Sequence, residues 1–213
     1  MAKRVMAPTG AEREEMATWV RQDLNMRHNA SMAAIRSNAE KNLGGKLRFN
    51  TTMPGFVMSY GRGRWGARCP GRKLANRLCF KHATQALFEN PDLVYCEGFA
   101  LRRAMGMACH HAWVLDPARG YAVIDNTWED PVTGAYLGVP FRKEYVFKTV
   151  ARRRVYGILD NWEEHYPLLT GGIDPLIWRH PDAAQIPADF TVEVEDDLRI
   201  QAFLRGELEV AAE

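Results

Sequence analysis

At 213 residues the chain is long enough for one sizeable domain with a well-buried core, and 46% hydrophobic with 25% charged residues is ordinary for a globular protein. No run approaches the about 18 consecutive apolar residues of a membrane-spanning helix, and "MAKRVMAPTG" has basic residues with no apolar core behind them, so neither a membrane span nor a signal peptide is expected. The net charge of +2 hides an uneven distribution, because no acidic residue occurs from 41 to 88 while the last quarter is acid-rich.

In chain order, Thr9-x-x-Glu12 has capping-box spacing and predicts an amphipathic helix over about 10–24, with Met16, Trp19, Val20 and Leu24 on one face. A second, polar helix is predicted over about 28–43, stopping at Gly44-Gly45. Within the Gly- and Arg-rich stretch 46–72 only "FVMSY" (56–60) suggests a strand. "KLANRLCFKHATQALFEN" (73–90) reads as a helix that ends before Pro91.

Strands follow at 93–101, 109–116 and 121–125, the last two joined by a turn over Pro117–Gly120. "YLGVPF" and "EYVFKTV" are expected to add strands, and helices are expected near 153–165 and 196–208. Gly171-Gly172, Pro175, Pro181 and Pro187 mark an irregular stretch between those helices. The fold expected is α+β, a helix packed on an antiparallel sheet, divided as an N-terminal extension 1–45, a core 46–166 and a C-terminal extension 167–213.

Three residues stand out on that framework. Cys79 lies near the start of a helix, His111 on a strand after it, and Asp125 at the end of the partner strand. The hairpin turn brings 111 and 125 to roughly facing positions. A thiol attacks a carbonyl as the thiolate, which a helix N-terminus and a nearby imidazolium both favour. A carboxylate then holds the imidazole in one orientation. His110 must point to the opposite face of its strand from His111, so at most one of the two serves the same site.

Cys79-Phe80 with Ala83 and Leu87, then "HHAWVLD", then "VIDNTW", resembles the transglutaminase-like branch of the papain-like thiol-enzyme superfamily. The likeness covers about 73–130. It implies a papain-like core with Cys79 as nucleophile, His111 as general base and acid, and Asp125 as orienting residue. Trp113 and Trp128 would pack beside the site. Two departures stand in the sequence: Asn126 replaces the usual proline after the aspartate, and no glutamine precedes Cys79 to serve as oxyanion donor, Asn76 being the nearest amide. The expected activity is a cytoplasmic, cysteine-dependent hydrolase or acyl transferase of peptidase, deamidase or transamidase type, with a peptide, amide or ester substrate and no cofactor.

Other residues admit more than one reading. Glu97, in "YCEGFA", either lines the cleft and selects a positive group or pairs with an arginine. "GRGRWGARCPGR" (61–72) is either a solvated loop or a cradle for an anionic partner or nucleic acid, with Arg62 and Arg64 on phosphates and Trp65 stacking on a base. On that alternative the fold is catalytically inactive and binds nucleic acid or protein through its basic 41–81 segment. Cys79-x-x-His82 has helical metal-ligand spacing, but no Cys-x-x-Cys accompanies it, and no metal is expected.

Overall fold

The computed structural model describes residues 6–42, 49–67 and 77–193. Its helices are α1 (Gly10–Asn42), α2 (Met53–Tyr60), α3 (Cys79–Glu89), α4 (Lys143–Arg153) and the single turn α5 (Pro175–Trp178). Its strands are β1 (Arg62–Trp65), β2 (Val94–Arg102), β3 (Ala108–Asp116), β4 (Ala122–Ile124) and β5 (Gly134–Phe141). Among the described residues the strands form one antiparallel sheet in the order β1-β5-β2-β3-β4. The architecture is α+β. No helix among these residues is long and apolar enough to cross a membrane.

Alternation along the strands divides the core in two. Tyr95, Phe99 and Leu101 of β2, Ala112 and Val114 of β3, and Leu137, Val139 and Phe141 of β5 pack with Met16, Val20 and Leu24 of α1, Phe56 of α2, Leu87 of α3 and Val146 of α4. On the other face Val94, Cys96, Ala100, Trp113, Leu115 and Tyr136 pack with Ile186. Central β2 and β5 are therefore buried on both sides. Both hairpins of β3 turn at glycines in the left-handed region, Gly106 (φ 65°) and Gly120 (φ 63°).

Several elements differ from the expectation. The capping box forms as read, with Thr9 N–H donating to Glu12 and Glu12 N–H to Thr9 Oγ1, but α1 continues without a break to Asn42. No glycine or proline interrupts 24–31, and Asn25 sits inside the helix with its amide donating to the Arg21 and Glu193 carbonyls. Residues 56–60 are helical, not extended. Thr52 caps α2 by accepting from Gly55 N–H, and Pro54 occupies the first turn, which is the start signal of a helix. "EYVFKTV" is also helix: Tyr145, Val146 and Thr149 fall on one buried face of α4, a 3.6-residue period that its β-branched composition conceals.

The helix expected over 153–165 is absent, because α4 ends where it was to begin. Arg154 closes α4 at φ 57° and Gly157 follows at φ 103°. The expected helix near 196–208 lies outside the described residues, as does the start of the 73–90 helix. α3 begins at Cys79, after Arg77 turns the chain at φ 65°. The irregular stretch 171–187 holds only α5, whose Trp178 packs against Phe56, Tyr60 and Phe141.

One buried charge ties the post-α4 segment to the sheet. The Glu97 carboxylate is fully buried and accepts from Tyr95 OH (2.8 Å), the Ile158 and Leu159 N–H groups (2.6 and 2.9 Å) and His110 Nε2 (3.0 Å). Burial opposes its charge, but the His110 bond and the two N–H donors outweigh burial and hold its pKa below the ordinary carboxylate value. Glu97→Ala would leave His110 and both N–H groups without their acceptor. The expected cost is ~3–5 kcal/mol of unfolding free energy, read as a lower urea midpoint at unchanged slope; a loss within ~0.5 kcal/mol would show that the carboxylate does not fasten this segment.

Candidate active site

α3 places Cys79 at its first position, with Ala83 and Leu87 buried on the same side. Leu78, at the N-cap, makes no side-chain capping bond, and the first-turn N–H groups of a helix have no intrahelical acceptor. β4 pairs with β3 only over Val114–Asp116, which leaves the upstream half of β3 without a neighbour on that edge. The start of α3 lies against this open edge. Cys79, Ala112, Trp113, Asp125 and Asn126 line the narrow cleft between them.

His111 is 4% exposed, and its Nε2 lies 2.8 Å from Asp125 Oδ2. The two oxygens of Asp125 divide their work. Oδ1 accepts from Thr127 N–H at 2.9 Å and holds the turn after β4, while Oδ2 receives His111 and the Tyr136 hydroxyl at 2.9 Å. Burial works against the Asp125 charge, yet the bond and charge of His111, Thr127 N–H and Tyr136 hold its pKa below the usual carboxylate value. With Nε2 committed to Asp125, Nδ1 is the ring nitrogen left for Cys79.

The imidazole is strongly perturbed. Burial alone would lower its pKa, but hydrogen bonding and charge from Asp125 and Cys79 overcome that and raise it to about 9. Trp128 stacks on the ring at 4.6 Å and 21°, with Trp113 and Tyr136 each 6.3 Å away. The Arg102 guanidinium lies 5.6 Å over the outer Trp128 ring. Trp113 is itself buried, and the bare Gly138 Cα makes room for its six-membered ring.

The structure thus brings Cys79, His111, Asp125, Trp113 and Trp128 together. It separates the others. Glu97 lies on the opposite face of the sheet, paired with His110 rather than an arginine and closed to any cleft. His110 does point away from His111, as alternation requires, but it does more than fill space: it is the partner of that carboxylate and lies between Phe80 and Phe99.

Arg62, Arg64 and Trp65 are on β1, at the other end of the strand order, in contacts that occupy them. Arg62 donates to the Ala183 carbonyl, and Arg64 to Pro187, Asp189 and the Gly120 carbonyl. Trp65 stacks on Phe190 at 4.7 Å. Asn76 and the parts of the basic segment at 43–48 and 68–76 lie outside the described residues. Among those described, no group of three or more His, Cys, Asp or Glu side chains is arranged to hold a metal ion.

Two residues of the site were not assigned to it from sequence. Tyr136 had only its place in an apolar run to mark it. His82 had only its three-residue offset from Cys79, which puts both on one side of a helix. Comparison with family models, curated proteins and solved structures found no match to this chain.

The raised His111 pKa has a signed consequence. The group titrates near 6.5 when unfolded and at about 9 when folded. Its contribution to stability is therefore complete below pH 6.5 and is lost as the pH rises toward 9, with a slope of at most ~1.4 kcal/mol per pH unit. Imidazole NMR should place the His111 midpoint near 9, and Asp125→Asn should bring it down sharply, because burial then dominates. A midpoint at or below 6.5 in the unsubstituted protein would show that the two neighbours do not outweigh burial.

Proposed function

We propose that this chain is a cysteine-dependent hydrolase or acyl transferase working through a thioester, on a transglutaminase-like, papain-like core. The observation that carries the reading is the ordered contact from Asp125 Oδ2 to His111 Nε2, with the other ring nitrogen left for a cysteine at the first position of a helix.

In this mechanism His111 holds the proton taken from Cys79, and the sulfur attacks the carbonyl carbon of an amide or ester. The oxyanion that forms is met by the first-turn N–H groups of α3 and by the positive end of its dipole. Collapse breaks the bond to the leaving amine or alcohol, which departs with the proton from His111. The acyl group stays on Cys79 as a thioester, which water or an amine then attacks, His111 serving as base. Asp125 stays ionised and holds the ring, Tyr136 steadies Asp125, and Trp128 covers the exposed side of the imidazole.

Peptides, amides and esters are the substrate class this chemistry fits. The nucleic-acid alternative draws no support from Arg62, Arg64 or Trp65, whose groups are already bound within the protein.

Alkylation tests the reading. With iodoacetamide at pH 7, Cys79 is expected to react faster than Cys96, whose burial pushes its thiol pKa far up, and faster than Cys69 and Cys109. His111→Gln should slow Cys79 alkylation by about 10-fold or more and turnover by about 10²-fold or more. Equal alkylation rates in the two proteins would mean that His111 does not activate the thiol.

A further inference from the structure

Two residues that line the cleft beside Cys79 each carry a polar atom with no hydrogen-bond partner among the described residues. His82 Nδ1 and Asn126 Oδ1 are both buried from solvent and both without a hydrogen bond. Their residues lie on opposite walls, His82 on α3 one turn after Cys79 and Asn126 directly after Asp125, and both line the same cavity. That cavity measures about 10 Å3, room for one water molecule and little else. The rest of its lining mixes apolar side chains, among them Ala83, Ala86, Val114 and Ile124, with Cys79, Asp125 and Thr127.

A buried polar atom left without a partner is unfavourable. Two residues that line one water-sized space and each carry such an atom can share a single remedy. Water both donates and accepts, so it satisfies an amide oxygen together with an imidazole nitrogen in either tautomer. Burial first and Lys81 second push the His82 pKa below the usual imidazole value, against an opposing pull from Asp125. An uncharged ring can accept a proton from that water or donate one to it.

We propose that His82 and Asn126 hold one water molecule beside Cys79, and that this water is the acceptor that hydrolyses the thioester. The proposal rests on the thioester reading above and sharpens it toward hydrolysis. In the step, the water oxygen bonds to the thioester carbonyl carbon while one of its protons passes to His111. The carbon–sulfur bond then breaks, Cys79 leaves as thiolate beside the imidazolium, and the acyl group departs as a carboxylic acid carrying the second proton. No other reactant is needed. Asn126 stands where the resembling family has proline, and proline has no side-chain oxygen to present.

Two measurements on the full chain test this. The first is a high-resolution crystal structure, expected to show one ordered water within about 3.2 Å of both His82 Nδ1 and Asn126 Oδ1; an empty cleft overturns the proposal. The second is stopped-flow kinetics with p-nitrophenyl acetate, which separates acylation (the burst) from deacylation (the steady state). His82→Leu and Asn126→Leu should lower the ratio of deacylation to acylation by about ten-fold or more, and His82→Asn, which returns a polar atom near the Nδ1 position, should restore most of it. An unchanged ratio, including equal loss of both phases, overturns the proposal, since a merely structural role moves both together. If the unsubstituted protein shows no burst and no acyl group on Cys79, the thioester reading fails and the hydrolytic role with it; the crystal structure then decides the water site by itself.

Discussion

The hydrogen bond between His111 and Asp125 constrains everything around it. Both groups are almost wholly withdrawn from solvent, with side-chain exposures of 5% and 1%, and a buried carboxylate survives only with its lone pairs satisfied. Asp125 meets that demand with donors beyond the imidazole, among them the Thr127 and Trp128 N–H groups and the Tyr136 hydroxyl. Tyr136 comes from β5, which β2 and β3 separate from β4, so the sheet must curl to bring its hydroxyl over the end of β4. The curl, the short β4 and the turn at 125–127 all serve to place one carboxylate against one ring. With that ring fixed through Nε2, its other nitrogen faces the start of α3.

A second carboxylate–histidine pair, with its carboxylate fully buried and its imidazole half-buried, uses the histidine on the other face of the same strand. His110 and Glu97 are 3.0 Å apart, but their surroundings assign them different work. Glu97 spends its remaining bonds on Tyr95 and on the Ile158 and Leu159 N–H groups, so it fastens the chain leaving α4 onto the sheet beneath Phe80. Phe80 follows Cys79 and packs at a tilt against His110, with ring centroids 4.8 Å apart. One pair therefore orients the imidazole that meets the sulfur, while the other anchors the first turn of the helix that carries it. Consecutive residues of one strand, pointing oppositely, thus act on the start of α3 from two sides.

Much of this was legible in the residues. Apolar and aromatic runs bounded by turn residues located β2, β3 and β5, and Pro117 and Gly120 located the hairpin turn. The register, with Val114 opposite Ile124, instead puts Asp125 level with Trp113, so that Asp125 meets His111 diagonally rather than face to face. Alternation also separated His110 from His111 before any coordinates. The errors share a cause. "FVMSY" and "EYVFKTV" are rich in β-branched and aromatic residues, and composition outweighed the better signals, the Thr52-x-Pro54 start and the spacing of Tyr145, Val146 and Thr149. Glu97 was misplaced because a strand acid between aromatics looks the same whether it faces a cleft or a closed network; only the return of 158–159 to the sheet decides that. Tyr136 and His82 depend on contacts between elements far apart in sequence, which no local pattern records.

The central claim is that the carboxylate-held imidazole makes Cys79 the group that forms the covalent intermediate. Brief exposure of the full chain to p-nitrophenyl acetate, acid quench and peptide mapping by mass spectrometry would locate any acyl group directly. The account predicts acetyl on Cys79, absent after Cys79→Ser substitution and greatly reduced when Asp125 is replaced by alanine. Acetyl groups on lysines or other cysteines with none on Cys79, or equal labelling of Cys79 without Asp125, would contradict it.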